Sequence, residues 1–236
     1  MNIVSYNVRG LGRGVKWAAI RRLIKKEGVN MICLQETKKE VIDKAMCQAL
    51  WEDVEVCWEM QPATAGDILC LWSEKTFRLQ RKVISNGFIL LTGEWIKEAQ
   101  QINIVTIYSP CDIHNKRILW DKVKQLKDSL SGGLWCILGD FNNIRDPAER
   151  FGICQRLSGE SSIKEFNDWI DDLEVIEVPW LGRKFTWYRS NGASRSRLDR
   201  FLVYPMSGLA DGLAVFKLLL QGTFQITVQS CFGPRS

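Results

Sequence analysis

The chain has 236 residues, of which 46% are hydrophobic and 25% charged, so it carries enough apolar side chain for a sizeable core. No apolar run reaches the length of about 18 residues that a membrane-crossing helix needs, so no membrane span is expected. The formal net charge of +5, from 32 Lys and Arg against 27 Asp and Glu, is too mild by itself to imply a polyanionic partner.

In chain order, Asn2–Tyr6 reads as a strand rich in Ile and Val. The opening residues lack the charged start, apolar middle and small-residue cleavage site of a signal peptide, which points to a nuclear or cytoplasmic location. Val15–Glu27 reads as a helix, with Ile20, Leu23 and Ile24 at helical spacing and Gly28 placed to end it. Val29–Leu34 is a second apolar strand, and Glu40–Leu50 a second helix. Strands are expected at 54–60, 67–72, 88–96 and 102–108, with turns at Gly66-Asp67 and Asn86-Gly87. Pro110 and Asp112 lead into a helix over about 113–130, which Gly132-Gly133 ends; Leu134–Leu138 is again a strand. Ser162 and Glu165 form a capping box for a helix running to about Asp172. Lys184–Arg189 and Arg197–Val203 read as a pair of strands. With no internal repeat or linker, this is one domain of packed sheets covered by helices.

Eight cysteines (Cys33, Cys47, Cys57, Cys70, Cys111, Cys136, Cys154 and Cys231) form no Cys-x-x-Cys pair and read as reduced, mostly buried thiols. The charge is unevenly distributed. Between Arg183 and Arg200 stand six basic residues (Arg183, Lys184, Arg189, Arg195, Arg197, Arg200) and one acid, Asp199, interleaved with Trp187 and Tyr188. Such a segment suits a phosphate-backbone surface and equally a solvated hairpin rim; charge alone does not separate them.

Several strands end on polar residues: Asn7, Glu36 in "LQET", Tyr108 in "IYSP", and Asp140 with Asn142 in "GDFNN". Strand alternation puts Asp140 and Asn142 on one face. Singly, Asn7 and Asn142 read as turn residues, Glu36 as a helix start and Tyr108 as core. Jointly they suit a Mg²⁺ site for phosphoryl chemistry: a carboxylate for a hard cation, amides and a phenol for phosphate oxygens, and a second carboxylate to orient or deprotonate water.

The stretches "SYNVRG", "LQET", "IYSP", "ILGDFNN" and "SRLDRFLV", in this order and spacing, resemble the endonuclease/exonuclease/phosphatase superfamily. Through "NVRGLGR", "CLQETK" and "GRKFTWYRSNG" the chain is most similar to the endonuclease domains of plant LINE-type retrotransposons. The resemblance covers residues 1–203 and implies a four-layer α/β sandwich, two mixed sheets flanked by helices. It further implies that Glu36 binds Mg²⁺ or Mn²⁺ with Asn7 beside the metal, that Tyr108 and Asn142 contact the scissile phosphate, and that Asp140 positions or activates the water. Asp199 would orient a catalytic histidine, and Arg183, Lys184, Trp187, Arg189, Arg195 and Arg197 would contact DNA. In an intact element a reverse transcriptase domain would accompany such a domain.

That histidine is missing. The family ends on a Ser-Asp-His strand, whereas the one histidine here, His114, reads as a surface residue opening a helix. The tail over 204–236 matches nothing in the family pattern. Written TTT CAG ATC ACT, Phe224–Thr227 reads Ser-Asp-His from its third base, and the same offset at Tyr204 can give Ser-Asn-Glu-Trp. The expectation is therefore a frame change near codon 203, loss of the last inner strand and impaired nuclease activity. Two other readings compete: another enzyme of the superfamily, such as an inositol-phosphate phosphatase, against which "GDFNN" argues, or an RNA deadenylase, and a nucleic-acid-binding remnant without chemistry.

Overall fold

The computed structural model describes residues 1–12, 14–62, 67–130, 132–152, 160–179, 184–189, 191–204 and, as backbone, 224–227. The elements are β1 (Asn2–Asn7), α1 (Val15–Glu27), β2 (Met31–Gln35), α2 (Lys44–Trp51), β3 (Val56–Gln61), β4 (Ile68–Ser73), β5 (Phe77–Ser85), β6 (Phe88–Trp95) and β7 (Gln100–Tyr108). There follow α3 (Ile113–Ser129), β8 (Leu134–Asp140), β9 (Arg150–Phe151), α4 (Glu160–Asp172), β10 (Ile176–Glu177), β11 (Trp187–Tyr188), β12 (Arg195–Ser196), β13 (Asp199–Val203) and β14 (Phe224–Thr227).

Two large mixed sheets result, ordered β14-β1-β2-β4-β3 and β10-β13-β8-β7-β6-β5, with a small sheet β11-β12-β9 beside them. The parallel pairs β1–β2 and β7–β8 are the two joined through a helix, α1 and α3 respectively, because parallel neighbours need a long crossover. Period-two alternation then sorts the side chains. Ile3, Met31, Cys33, Ile68 and Cys70 of the first sheet meet Ile89, Leu91, Ile104, Leu138 and Phe201 of the second in the central core. The opposite face of the first sheet (Val4, Ile32, Leu34, Leu69) packs on Ile20, Ile24, Cys47 and Leu50 of α1 and α2. The opposite face of the second (Leu90, Val105, Ile137, Leu202) packs on Leu119, Trp120, Phe166 and Trp169 of α3 and α4. The architecture is thus helix, sheet, sheet, helix, as expected.

Local chemistry sets the boundaries. Gly28 ends α1 in the left-handed region, at φ 55°, donating its N–H to the Ile24 and Lys25 carbonyls. Asp43 and Asp112 cap α2 and α3 through Met46 N and Asn115 N, so α2 begins at Lys44 rather than Glu40. The capping box is corrected: Ser162 lies inside α4, buried, and its hydroxyl donates to Asn143 Oδ1. The expected pairing of 184–189 with 197–203 is also corrected. β11 pairs with β12, while β13 joins β8 in the large sheet, because Phe201 and Val203 are apolar enough to belong to the central core. β5 is not among the expected strands; it is an edge strand whose exposed Arg78, Arg81 and Lys82 hide its alternation.

The expected loss of the last inner strand is corrected as well. β14 lies antiparallel to β1, with Phe224 opposite Ser5 and Thr227 opposite Asn2, and covers the edge that β1 would otherwise expose. Cys154, Cys231 and Arg183 lie outside the described residues. The six described cysteines are free thiols; Cys33, Cys47, Cys70 and Cys136 are buried.

Candidate active site

The central core turns polar at one end. Asn7 follows Ile3 and Ser5 in the inward row of β1, and Gln35 follows Met31 and Cys33 in that of β2. In the second sheet, register sets Tyr108, Asp140 and Asp199 side by side across β7, β8 and β13, each at the rim end of a row whose other members are core residues. Sheet packing brings these rows together. Asn7 Nδ2 donates to Glu36 Oε1 at 2.7 Å and to Asp140 Oδ2 at 3.3 Å, and Tyr108 OH donates to the same Glu36 oxygen at 3.1 Å. Four residues from four strand ends, up to 133 positions apart, form one hydrogen-bonded cluster.

The backbone is tuned to present them. Gly139 has φ 129°, and a Cβ there would stand 2.0 Å from the Ile107 carbonyl, so only glycine lets β8 close on β7 just before Asp140. Arg9, Glu36 and Asn142 all adopt positive φ (48°, 54° and 47°), a costly conformation that clusters at functional sites. Lys16 Nζ donates to the carbonyls of Val8, Arg9 and Gly10, pinning the turn after β1. Asp67 holds the turn after β2 through Thr37 Oγ1 and Lys38 N. Asn142 reaches the rim for a different reason than strand alternation. It lies beyond β8 in the left-handed region, its N–H donating to Asp140 Oδ1 at 2.9 Å and its Nδ2 to the Ser109 carbonyl at 2.7 Å.

Burial sets the electrostatics. It pushes the Asp140 carboxyl up to about 6, against hydrogen bonds from Asn142 and Asn7. Burial and then the facing Asp140 push Asp199 well above the ordinary carboxylate range. Asp199 Oδ1 is buried and has no hydrogen-bond donor among the described residues. Burial and the Glu36 carboxylate keep the Tyr108 phenol protonated, so its O–H is present to donate, here to Glu36. The donor set is all oxygen: two carboxylates, Glu36, whose Oε1 is fixed by two donors, and Asp140, beside the Asn7 amide oxygen. Such a set suits a hard divalent cation that keeps several waters, and no described cluster of three or more His, Cys, Asp or Glu offers an all-protein cage instead. His114 is exposed in the first turn of α3.

The residues expected to contact DNA divide. Lys184, Arg189 and Arg195 are exposed and Trp187 half-buried on or beside the small sheet. Arg195 stacks over Phe151 and Phe185 at 4.6 and 4.8 Å, and Phe151 is 58% exposed, which makes a basic and aromatic surface. Arg197 is not on that surface. With Arg200, whose side chain is fully buried, it is paired to both Glu149 and Glu177, and Arg145 adds a third guanidinium on Glu177. Sequence reading missed this network, because its carboxylates lie 20 to 51 residues away. Glu177→Ala would leave Arg197 and Arg200 on Glu149 alone and take the carboxylate from the Arg145 guanidinium, and the expected loss is about 3–5 kcal/mol in urea unfolding. A loss below about 1 kcal/mol would show that water already screens the network.

The profile of the Endonuclease/Exonuclease/phosphatase family matches residues 4–219. Comparison with curated protein sequences returns no match. Among solved structures, an AP endonuclease, LMAP, from Leishmania major superposes with a TM-score of 0.74 at 17% identity, over 95% of this chain and 86% of that one. The 3′ phosphatase NExo from Neisseria, bound to a product DNA hairpin, gives 0.70 at 15% identity over 97% and 99%. An AP endonuclease from Archaeoglobus fulgidus gives 0.66 at 14% identity over 87% of each chain. With the fold, the converged strand ends and a match spanning most of its length, the chain belongs to the Endonuclease/Exonuclease/phosphatase family.

Proposed function

We propose that this chain is the Mg²⁺-dependent DNA endonuclease domain of a LINE-type retrotransposon, in a copy whose frame changes near residue 203 and whose nicking is impaired. The convergence of Asn7, Glu36, Tyr108 and Asp140 carries the reading. Glu36, with Asn7 beside it, would hold Mg²⁺ or Mn²⁺, which supplies Lewis-acid polarisation of the phosphoryl oxygen and stabilises the leaving oxygen. Asp140, ionised above about pH 6, accepts a proton from the attacking water. The second N–H of Asn142 donates to the phosphate as charge develops, and the Tyr108 phenol, whose one O–H is on Glu36, would donate to it by turning away from that carboxylate once a cation sits there. Asp199 would orient a histidine that this reading frame does not supply, and its unpaired, buried oxygen supports that role.

DNA as substrate is supported by the NExo complex with a product DNA hairpin, and by the basic, aromatic sheet near the rim. The LINE-type assignment rests on the motif resemblance, as does a reverse transcriptase domain as partner in an intact element. Plasmid nicking with Mg²⁺ or EDTA tests the chemistry. Binding of a short duplex across a salt series tests the surface. Replacing Lys184 and Arg195 together by Ala should lower the slope of log K against log salt by about 2, roughly 0.9 for each phosphate that is no longer neutralised. An unchanged slope would take DNA off this surface. Salt-dependent binding without cleavage by any version would favour a binding remnant over an enzyme.

A further inference from the structure

Lys116 is 2% exposed in the first turns of α3, where both burial and the helix dipole oppose a cation. Its ammonium donates to the Asn142 carbonyl at 2.6 Å and to Asn143 Oδ1 at 3.0 Å, and among the described residues no carboxylate is hydrogen-bonded to it. Asn143 is in turn fixed to Ser162, through the Ser162 hydroxyl at 3.0 Å and the Ser162 carbonyl at 2.9 Å. A buried ammonium held only by neutral acceptors is a poor stabilising device, since an apolar side chain of similar length fills such a site at lower cost. What it does hold is the left-handed turn that sets Asn142 against Asp140.

We propose that Lys116 is a positioning residue for the scissile phosphate: its charge fixes the Asn142–Asn143 turn so that the Asn142 amide meets the anionic substrate beside Asp140. This rests on the reading of the rim as a DNA phosphate site. The charged and titratable groups facing Lys116 are Cys111 and Asp112 before α3, Asp140 on β8 and Arg150 on β9. Burial lowers the Lys116 ammonium to about 8, so its charge is present at pH 7 and mostly gone at pH 9.

The test is fluorescence anisotropy of a labelled 12-base-pair DNA duplex in EDTA, in a Cys111→Ser background that removes the neighbouring thiol. Lys116→Met should bind about tenfold more weakly at pH 7, the scale of one charged hydrogen bond, with no fall in melting temperature. Lys116→Arg should bind within about twofold of the parent. Between pH 7 and 9 the parent should lose affinity about tenfold while Lys116→Arg, still charged, does not. Parent-like binding by Lys116→Met overturns the proposal, as does an equal pH loss in parent and Lys116→Arg. The second comparison decides the matter even if Lys116→Met folds poorly. A parent that binds no DNA at any pH overturns the reading of the rim itself.

Discussion

On the proposed reading, rewriting the strand beside β1 as Ser-Asp-His, the shifted frame, is expected to raise Mg²⁺-dependent nicking of supercoiled plasmid by on the order of 10³-fold or more over the chain as it stands. The geometry motivates this. β14 enters alongside β1 at Ser5, two residues from Asn7, and Phe224–Thr227 are the residues whose codons can carry Ser-Asp-His in the shifted frame. Across the rim, Asp199 keeps a buried oxygen with no donor among the described residues. An imidazole N–H is a suitable donor for it. An acid that exists to orient a base does little once the base is gone, and units of this kind lose most of their rate with one member. Sequencing the encoding DNA gives a check independent of activity: codons that cannot yield Ser-Asp-His in the shifted frame exclude the frame change. Nicking by the chain as it stands, abolished by EDTA and by Asp140→Ala, would mean that the histidine is dispensable.

What the sequence made legible follows from which forces are local. Apolar runs closed by turn residues marked β1, β2, β4, β6, β7 and β8 to within a few residues, because alternation and capping are written along the chain. The polar strand ends stood out for the same reason: Asn7, Tyr108 and Asp140 each interrupt a buried row. Their meeting was not legible. It depends on the register of β7, β8 and β13 and on the stacking of two sheets, and no residue spacing encodes either. Lys116 sits in a helix also bearing the charged Lys122, Lys124 and Lys127, so only packing shows it to be buried. The basic run after Arg183 misplaced Arg197 because Glu149 and Glu177, which neutralise it, come from other elements. The pairing of β11 with β12 is a matter of two residues per strand, too short for periodicity to mark.

Replacing Asp140 by Asn should abolish nicking in the frame-restored protein and yet stabilise the metal-free fold at pH 7.5. Burial raises the folded-state Asp140 carboxyl from 3.8 to about 6, whereas in the unfolded chain it stays near its ordinary value. A carboxyl raised in the folded state favours folding most where it is protonated in both states. That contribution is complete below about pH 4 and is lost as pH rises through about 6. At pH 7.5 the ionised, buried carboxylate therefore costs roughly 3 kcal/mol relative to its neutral form. Asn keeps the shape, removes the charge and also relieves the repulsion felt by Asp199. The expected outcome is a melting temperature several degrees higher at pH 7.5, about 2–4 °C per kcal/mol for a chain of this size, and little difference at pH 4. A variant equally stable at both pH values, relative to the parent, would mean that Asp140 is already screened by water and is not held under strain. The pattern expected instead, stability gained and chemistry lost on one substitution, would support the proposed role of Asp140 in the reaction.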